Sequence, residues 1–141
     1  MKTLTLNFKK WRCGRDGGKN VAHGEGWTRL LNIQGYMCCL GQFSTQLNPK
    51  VTRDNILECS SPCSLSNPIP ILSKTHFGDI ENTSLSNKSI EINDDDNTSI
   101  DQKIKSLKTL FRTKGYKINI TNLPKQLAKK LKLKKIKVSN H

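Results

Sequence analysis

One stretch constrains the fold more than any other: residues 97–115, NTSIDQKIKSLKTLFRTKG. Ser99 can cap a helix, and Gln102, three residues on, completes a capping box. Ile100, Ile104, Leu107 and Phe111 follow at helical spacing and define a core-facing stripe. Gly115 suits the left-handed position that ends such a helix. Asp101 and Lys105 stand i,i+4 in the favourable order. Lys105, Lys108 and Arg112, at i, i+3 and i+7, form a basic ridge beside the stripe.

The flanking segments read differently. In TLTLNF, residues 3–8, Leu4, Leu6 and Phe8 alternate, as in a half-buried strand, and Lys2, Lys9 and Lys10 suit its ends or a sheet edge. Tyr116, Ile118 and Ile120 alternate in the same way and predict a second strand. Asn122 and Pro124 open a short last helix, with Leu123, Leu127 and Leu131 on one face and Lys125, Lys129 and Lys132 on the other. The end, LKLKKIKV, is expected to finish as a strand with Ile136 and Val138 inward. Residues 48–89, dominated by Asn, Ser, Thr and Pro, are expected to be a long irregular region with one short helix near Arg53–Cys59. The fold class is therefore α+β: a small sheet, a packed C-terminal helix, an irregular middle and a short basic last element. Residues 1–121 are expected to form one domain, and 122–141 a basic extension packed on or flexibly attached to it.

Charge carries the functional signal. The net charge is +13, yet residues 1–101 balance eleven Lys or Arg against eleven Asp or Glu. Residues 102–141 hold twelve Lys, Arg112 and no acid. A one-signed region of that size attracts and steers polyanions. The expected phosphate contacts are Lys105, Lys108, Arg112, Lys125, Lys129, Lys130, Lys132, Lys134, Lys135 and Lys137. Tyr116 is the only aromatic after Phe111, so contacts in this region are expected to reach phosphates rather than stacked bases.

The stretch GYMCCLG, Gly35 to Gly41, raises a separate question. It reads as a buried strand or the start of a helix, and its short apolar run does not separate the two. Zinc would require Cys38 and Cys39 to join Cys59 and Cys63, with Cys13, His23 or His76 in reserve. Cys59-Ser-Ser-Pro-Cys63 has knuckle-like spacing. Adjacent cysteines on a strand point to opposite faces and make a poor second half. A nucleophile would need a thiol at a helix N-terminus near His23 or His76, and no hydrolase signature surrounds them. The favoured account is core packing, with glycines permitting close approach. An odd count of five cysteines argues against a disulfide scaffold.

Other chemistry is excluded by pattern. The loop GRDGGKNVAHGEG, residues 14–26, matches neither the P-loop nor the dinucleotide fingerprint. In INDDDNTSID, Ile92 to Asp101, Asp94, Asp96 and Thr98 imitate a calcium loop, but Ser99 stands where glycine is needed and Lys105 where glutamate is needed. No cofactor and no metal are expected. The N-terminus lacks the apolar core of a signal peptide, and no apolar run spans a bilayer; the expected location is the host cytoplasm, with no membrane partner.

Trp11-Arg12-x-Gly14, then Trp27 to Gly41, Ile92 to Asp95, and Leu110-Phe111 to Gly115 resemble a recurring set of small phage and prophage proteins. The resemblance covers residues 11–118 intermittently. It implies a phage or prophage origin and assigns no catalytic residues; the basic end after Ile120 lies outside it. Together with the charge, it sets the expectation of a non-enzymatic accessory protein that binds RNA, DNA or a nucleoprotein. An anti-CRISPR-like, RNA-directed inhibitor of a host nucleic-acid-targeting defence is the specific role it suggests. One alternative is a protein-only inhibitor docking its basic face on an acidic patch of a host defence enzyme. The other is a thiol or zinc enzyme using Cys38 and Cys39.

Overall fold

The computed structural model describes residues 1–14, 27–59 and 80–139, excepting the side chains of 80–84 and 133–139. It is a mixed α+β structure. Strand β1 (Lys2–Asn7) runs into a 3-10 turn (Phe8–Lys10), followed by helices α1 (Cys39–Leu47), α2 (Arg53–Ile56), α3 (Ile80–Asp94) and α4 (Ile100–Arg112), strand β2 (Tyr116–Thr121) and helix α5 (Lys125–Ser139).

The two expected strands pair with each other in parallel, with Leu4 opposite Ile118 and Leu6 opposite Ile120. A parallel pair needs a long crossover, and here nearly the whole chain supplies it. The free edge of β1 is covered by side chains of α1. Gln46 on α1 accepts from the Thr5 amide and donates to the Thr5 carbonyl, both at 2.7 Å. One turn earlier, Gln42 does the same for Asn7, at 2.7 and 3.1 Å. Two carboxamides spaced i,i+4 thus satisfy backbone groups that an edge strand otherwise exposes.

The core lies beneath this sheet. Leu4, Leu6 and Ile118 meet Leu40 and Phe43 of α1, Leu85 of α3, and Ile104, Leu107 and Phe111 of α4, all buried. The Phe43 and Phe111 rings pack edge to face at 5.0 Å. The capping box forms as expected: Ser99 Oγ accepts from the Gln102 amide, and Gln102 Oε1 accepts from the Ser99 amide at 3.0 Å. Gly115 takes a φ of +84°, the left-handed conformation that glycine tolerates.

Two expectations need correction, and one open alternative is resolved. Residues 80–89 of the supposed irregular region are helical, because α3 spans Ile80–Asp94. Its face toward α1 and α4 is built from Leu85, Ser86, Ser89 and Asn93 instead of a leucine stripe. Ser89 donates back to the Leu85 carbonyl at 2.7 Å, which lets a polar residue occupy a buried helix face. The final strand is also helix, since α5 runs unbroken to Ser139. Lysine and leucine are strong helix formers, and the stripe of Leu123, Leu127 and Leu131 packs on the core. The last element is accordingly docked along that stripe and is not a loose tail there. Finally, the GYMCCLG ambiguity resolves as a helix start, with Cys38 at the N-cap of α1.

Candidate nucleic-acid interface

Cys38 and Cys39 are both buried. Burial pushes the Cys38 thiol up to about 12 and raises Cys39 well above its usual value, outweighing the helix N-terminus that would lower them. They are protonated at neutral pH, poor nucleophiles and poor metal ligands. Among the described residues, no three His, Cys, Asp or Glu side chains gather to hold a metal ion. Cys63, His23 and His76 lie outside the described residues, as does most of the glycine-rich loop. Gly41 is required by close approach: a Cβ there would lie 1.6 Å from the Leu30 carbonyl oxygen.

What the cysteines surround is Asn93, which lies in the α3 end of the acidic stretch and is 1% exposed. Its Oδ1 accepts from Trp11 Nε1 at 2.7 Å and from the Cys39 amide at 3.1 Å. Its Nδ2 donates to the Arg12 carbonyl at 3.2 Å and to Asp94 Oδ1 at 2.9 Å. Its backbone carbonyl accepts from Gly14 at 2.8 Å. Residues separated by about eighty positions, W-R-x-G, C-C and N-D, therefore converge on one carboxamide. A crevice of about 20 Å³ beside it, lined by Thr28, Cys38, Cys39, Ile90 and Asp94, has room for a water molecule and no substrate. The cluster is a structural knot.

The acidic stretch has its own cation. Lys103 is 1% exposed, and its ammonium donates to the Ile92 and Asp95 carbonyls and to Thr98 Oγ1. It thereby satisfies carbonyls at the C-terminal end of α3, where the helix dipole favours positive charge. The pseudo-calcium loop is filled by a lysine of the same chain. Sequence reasoning missed this, although the signal was present: Lys103 falls i,i+4 from Leu107 and beside Ile104, inside the apolar stripe.

The remaining cations of the run behave differently. Lys105, Lys108 and Arg112 on α4 are exposed, as are Lys125, Lys129, Lys130 and Lys132 on α5. Lys134, Lys135 and Lys137 belong to the same helix, but their side chains are outside the described set. Lys117 on β2, unanticipated as a contact, is also exposed. The helices α4 and α5 touch, and the leucine stripe of α5 turns its lysines outward. The start of α5 is fixed by Asn122, which has φ +57° and donates from Nδ2 to Asn7 Oδ1 at 2.8 Å. A shallow groove of about 570 Å³ runs along α4 past Lys105, Ser106, Thr109, Leu110 and Thr113. Lysine and hydroxyl side chains of this kind contact phosphate oxygens in nucleic-acid complexes. Asp94 to Asp96 sit before the start of α4, and Arg112 at its other end, so the surface is polarised along the helix.

Among the described residues, no helix is long and apolar enough to cross a membrane. Compared with family models, curated proteins and solved structures, the chain matches none, so its function has to be inferred from the charge and the geometry.

Proposed function

We propose that this protein binds nucleic acid, alone or within a nucleoprotein, through the outward faces of α4 and α5. The observation that carries the proposal is the segregation of charge. Seven exposed cations (Lys105, Lys108, Arg112, Lys125, Lys129, Lys130 and Lys132) stand on two touching helices, in a stretch that contains no carboxylate side chain. Neutral solvated faces in folded proteins mix both signs; this one would repel any cationic partner and attract any polyanion. The hydroxyls of Ser106 and Thr109 along the α4 groove add uncharged phosphate donors.

We propose further that this binding serves to occupy or misdirect the guide RNA of a host defence complex, a reading supported by the charge and by the resemblance to small phage and prophage proteins. The test is binding to labelled single-stranded RNA, duplex RNA and duplex DNA across a salt series. With about six phosphates contacted, the log–log slope is expected near −4 for single strands and near −5 for B-form DNA. Changing Lys125, Lys129, Lys130 and Lys132 together to glutamine should make the slope shallower by about three and weaken binding to every sequence alike. No binding at low salt would refute the proposal and leave a protein with an acidic patch as the partner.

A further inference from the structure

We infer that the turn between Trp27 and Tyr36 is a stacking platform for unpaired bases, so that the preferred ligand is single-stranded nucleic acid. This rests on the nucleic-acid reading above and specifies it. Trp27 is 58% exposed, whereas the other tryptophan, Trp11, is fully buried. Its ring lies beneath the Arg29 guanidinium, 6.0 Å from the ring centre. Tyr36, half-buried, carries the Lys10 ammonium 5.9 Å from its own ring centre.

The two aromatics are held by a single side chain. Asn32, 1% exposed, donates from Nδ2 to the Trp27 carbonyl at 2.9 Å and accepts at Oδ1 from the Tyr36 amide at 3.0 Å. Gly35, at φ +91°, closes the turn between them. Ile33, at the tip and 72% exposed, extends the apolar surface. Glu58 supports the arrangement from the side, accepting from the Ile33 amide at 3.0 Å and pairing with Arg29 at 3.8 Å. The result is two π surfaces anchored to one buried carboxamide, each accompanied by a cation. That combination is what sequence-tolerant binding of single strands uses: bases stack on the rings while cations meet the backbone. A duplex keeps its bases stacked on one another and offers nothing to such a platform.

The placement of the two tryptophans supplies a direct assay. Full-length protein is titrated with a uridine or thymidine oligomer of about twelve nucleotides, within the site sizes such platforms use, and with a duplex of equal length. Single strands are expected to quench tryptophan emission, and Trp27→Ala to abolish the quench. Trp27→Ala should weaken single-strand binding by roughly ten- to hundred-fold while leaving the salt slope and duplex affinity unchanged. Trp27→Phe, which keeps a ring, should retain most of the affinity, and Tyr36→Leu should lose part of it. If Trp27→Ala binds single strands like the parent while the α5 glutamine variant loses affinity, the platform is refuted and the phosphate-binding face stands. If the parent binds neither single strand nor duplex, both fall together.

Discussion

Asn93→Ala tests the structural knot most directly. The substitution removes the partner of three buried groups: the Trp11 indole N–H, the Cys39 amide N–H and the Arg12 carbonyl. Trp11 and Cys39 are fully buried and Arg12 is 3% exposed, so bulk water does not replace the lost bonds. Each orphaned group costs about 1–3 kcal/mol. The adjoining crevice can admit one water and recover part of this, so a total near 3–5 kcal/mol is expected. Against a typical domain stability of about 5–15 kcal/mol, that is a large fraction, equivalent to a fall in Tm of roughly 10–20 °C for a chain of this size. Equilibrium urea unfolding, followed by tryptophan emission and far-ultraviolet circular dichroism, measures it, with an unchanged m-value expected. Asn87→Ala, exposed on the same helix, is the control and should shift stability by less than about 0.5 kcal/mol. Asn93→Asp adds a signature in pH. Its second oxygen cannot donate to the Arg12 carbonyl and faces Asp94, so its pKa in the folded state is raised. The unfolded chain then releases the proton first, so stability falls as pH rises through the carboxylate range and recovers in acid. An Asn93→Ala protein within about 1 kcal/mol of the parent, at the same m-value, would refute the reasoning.

Four other outcomes follow from the same contacts. Gly41→Ala places a methyl against the Leu30 backbone at 1.6 Å, and should destabilise by at least about 3 kcal/mol or prevent folding, as read by circular dichroism. Cys38 and Cys39 should resist alkylation in the native protein at pH 8 to 9 and react once unfolded in urea, because burial raises both thiols. By the same linkage, the unfolded chain loses these protons first, so stability should decline as pH rises above about 9. Lys103→Met should cost about 2–4 kcal/mol by stripping its three acceptors of a donor, whereas Lys105→Met should leave stability unchanged and reduce only salt-dependent binding. Ser86→Ala should stabilise by about 1 kcal/mol, since the buried Ser86 hydroxyl has no hydrogen-bond partner among the described residues and alanine is the better helix former.

Elements governed by local periodicity were legible in the sequence. The capping box, stripe and terminal glycine of α4 specify their own geometry within a few residues, and the alternation of β1 and β2 does the same. The helix α3 was not legible, because its buried face carries Ser86, Ser89 and Asn93 beside Leu85; Ser89 bonds back to its own helix, and the partners of Asn93 lie in α1 and at Trp11 and Arg12, far away in sequence. LKLKKIKV reads as a strand by its alternation, and the docking of Leu123, Leu127 and Leu131 on the core carries the helix through it instead.

Of the candidate site, the sequence by itself determined the sign and the place of the charge, since no fold can put a carboxylate side chain into residues 102–141. Only tertiary structure decided which cations are available. It turned Lys103 inward, because three oxygens from the acidic stretch are close enough to replace its hydration, and left its neighbours outward. It also decided what GYMCCLG does. The bridge between Trp11 and Met37 and the packing of α3 against α1 bring Trp11, Cys39 and Asn93 to one point, where desolvation silences the thiols and one carboxamide holds the knot. Contacts between residues some fifty to eighty positions apart leave no periodicity to read.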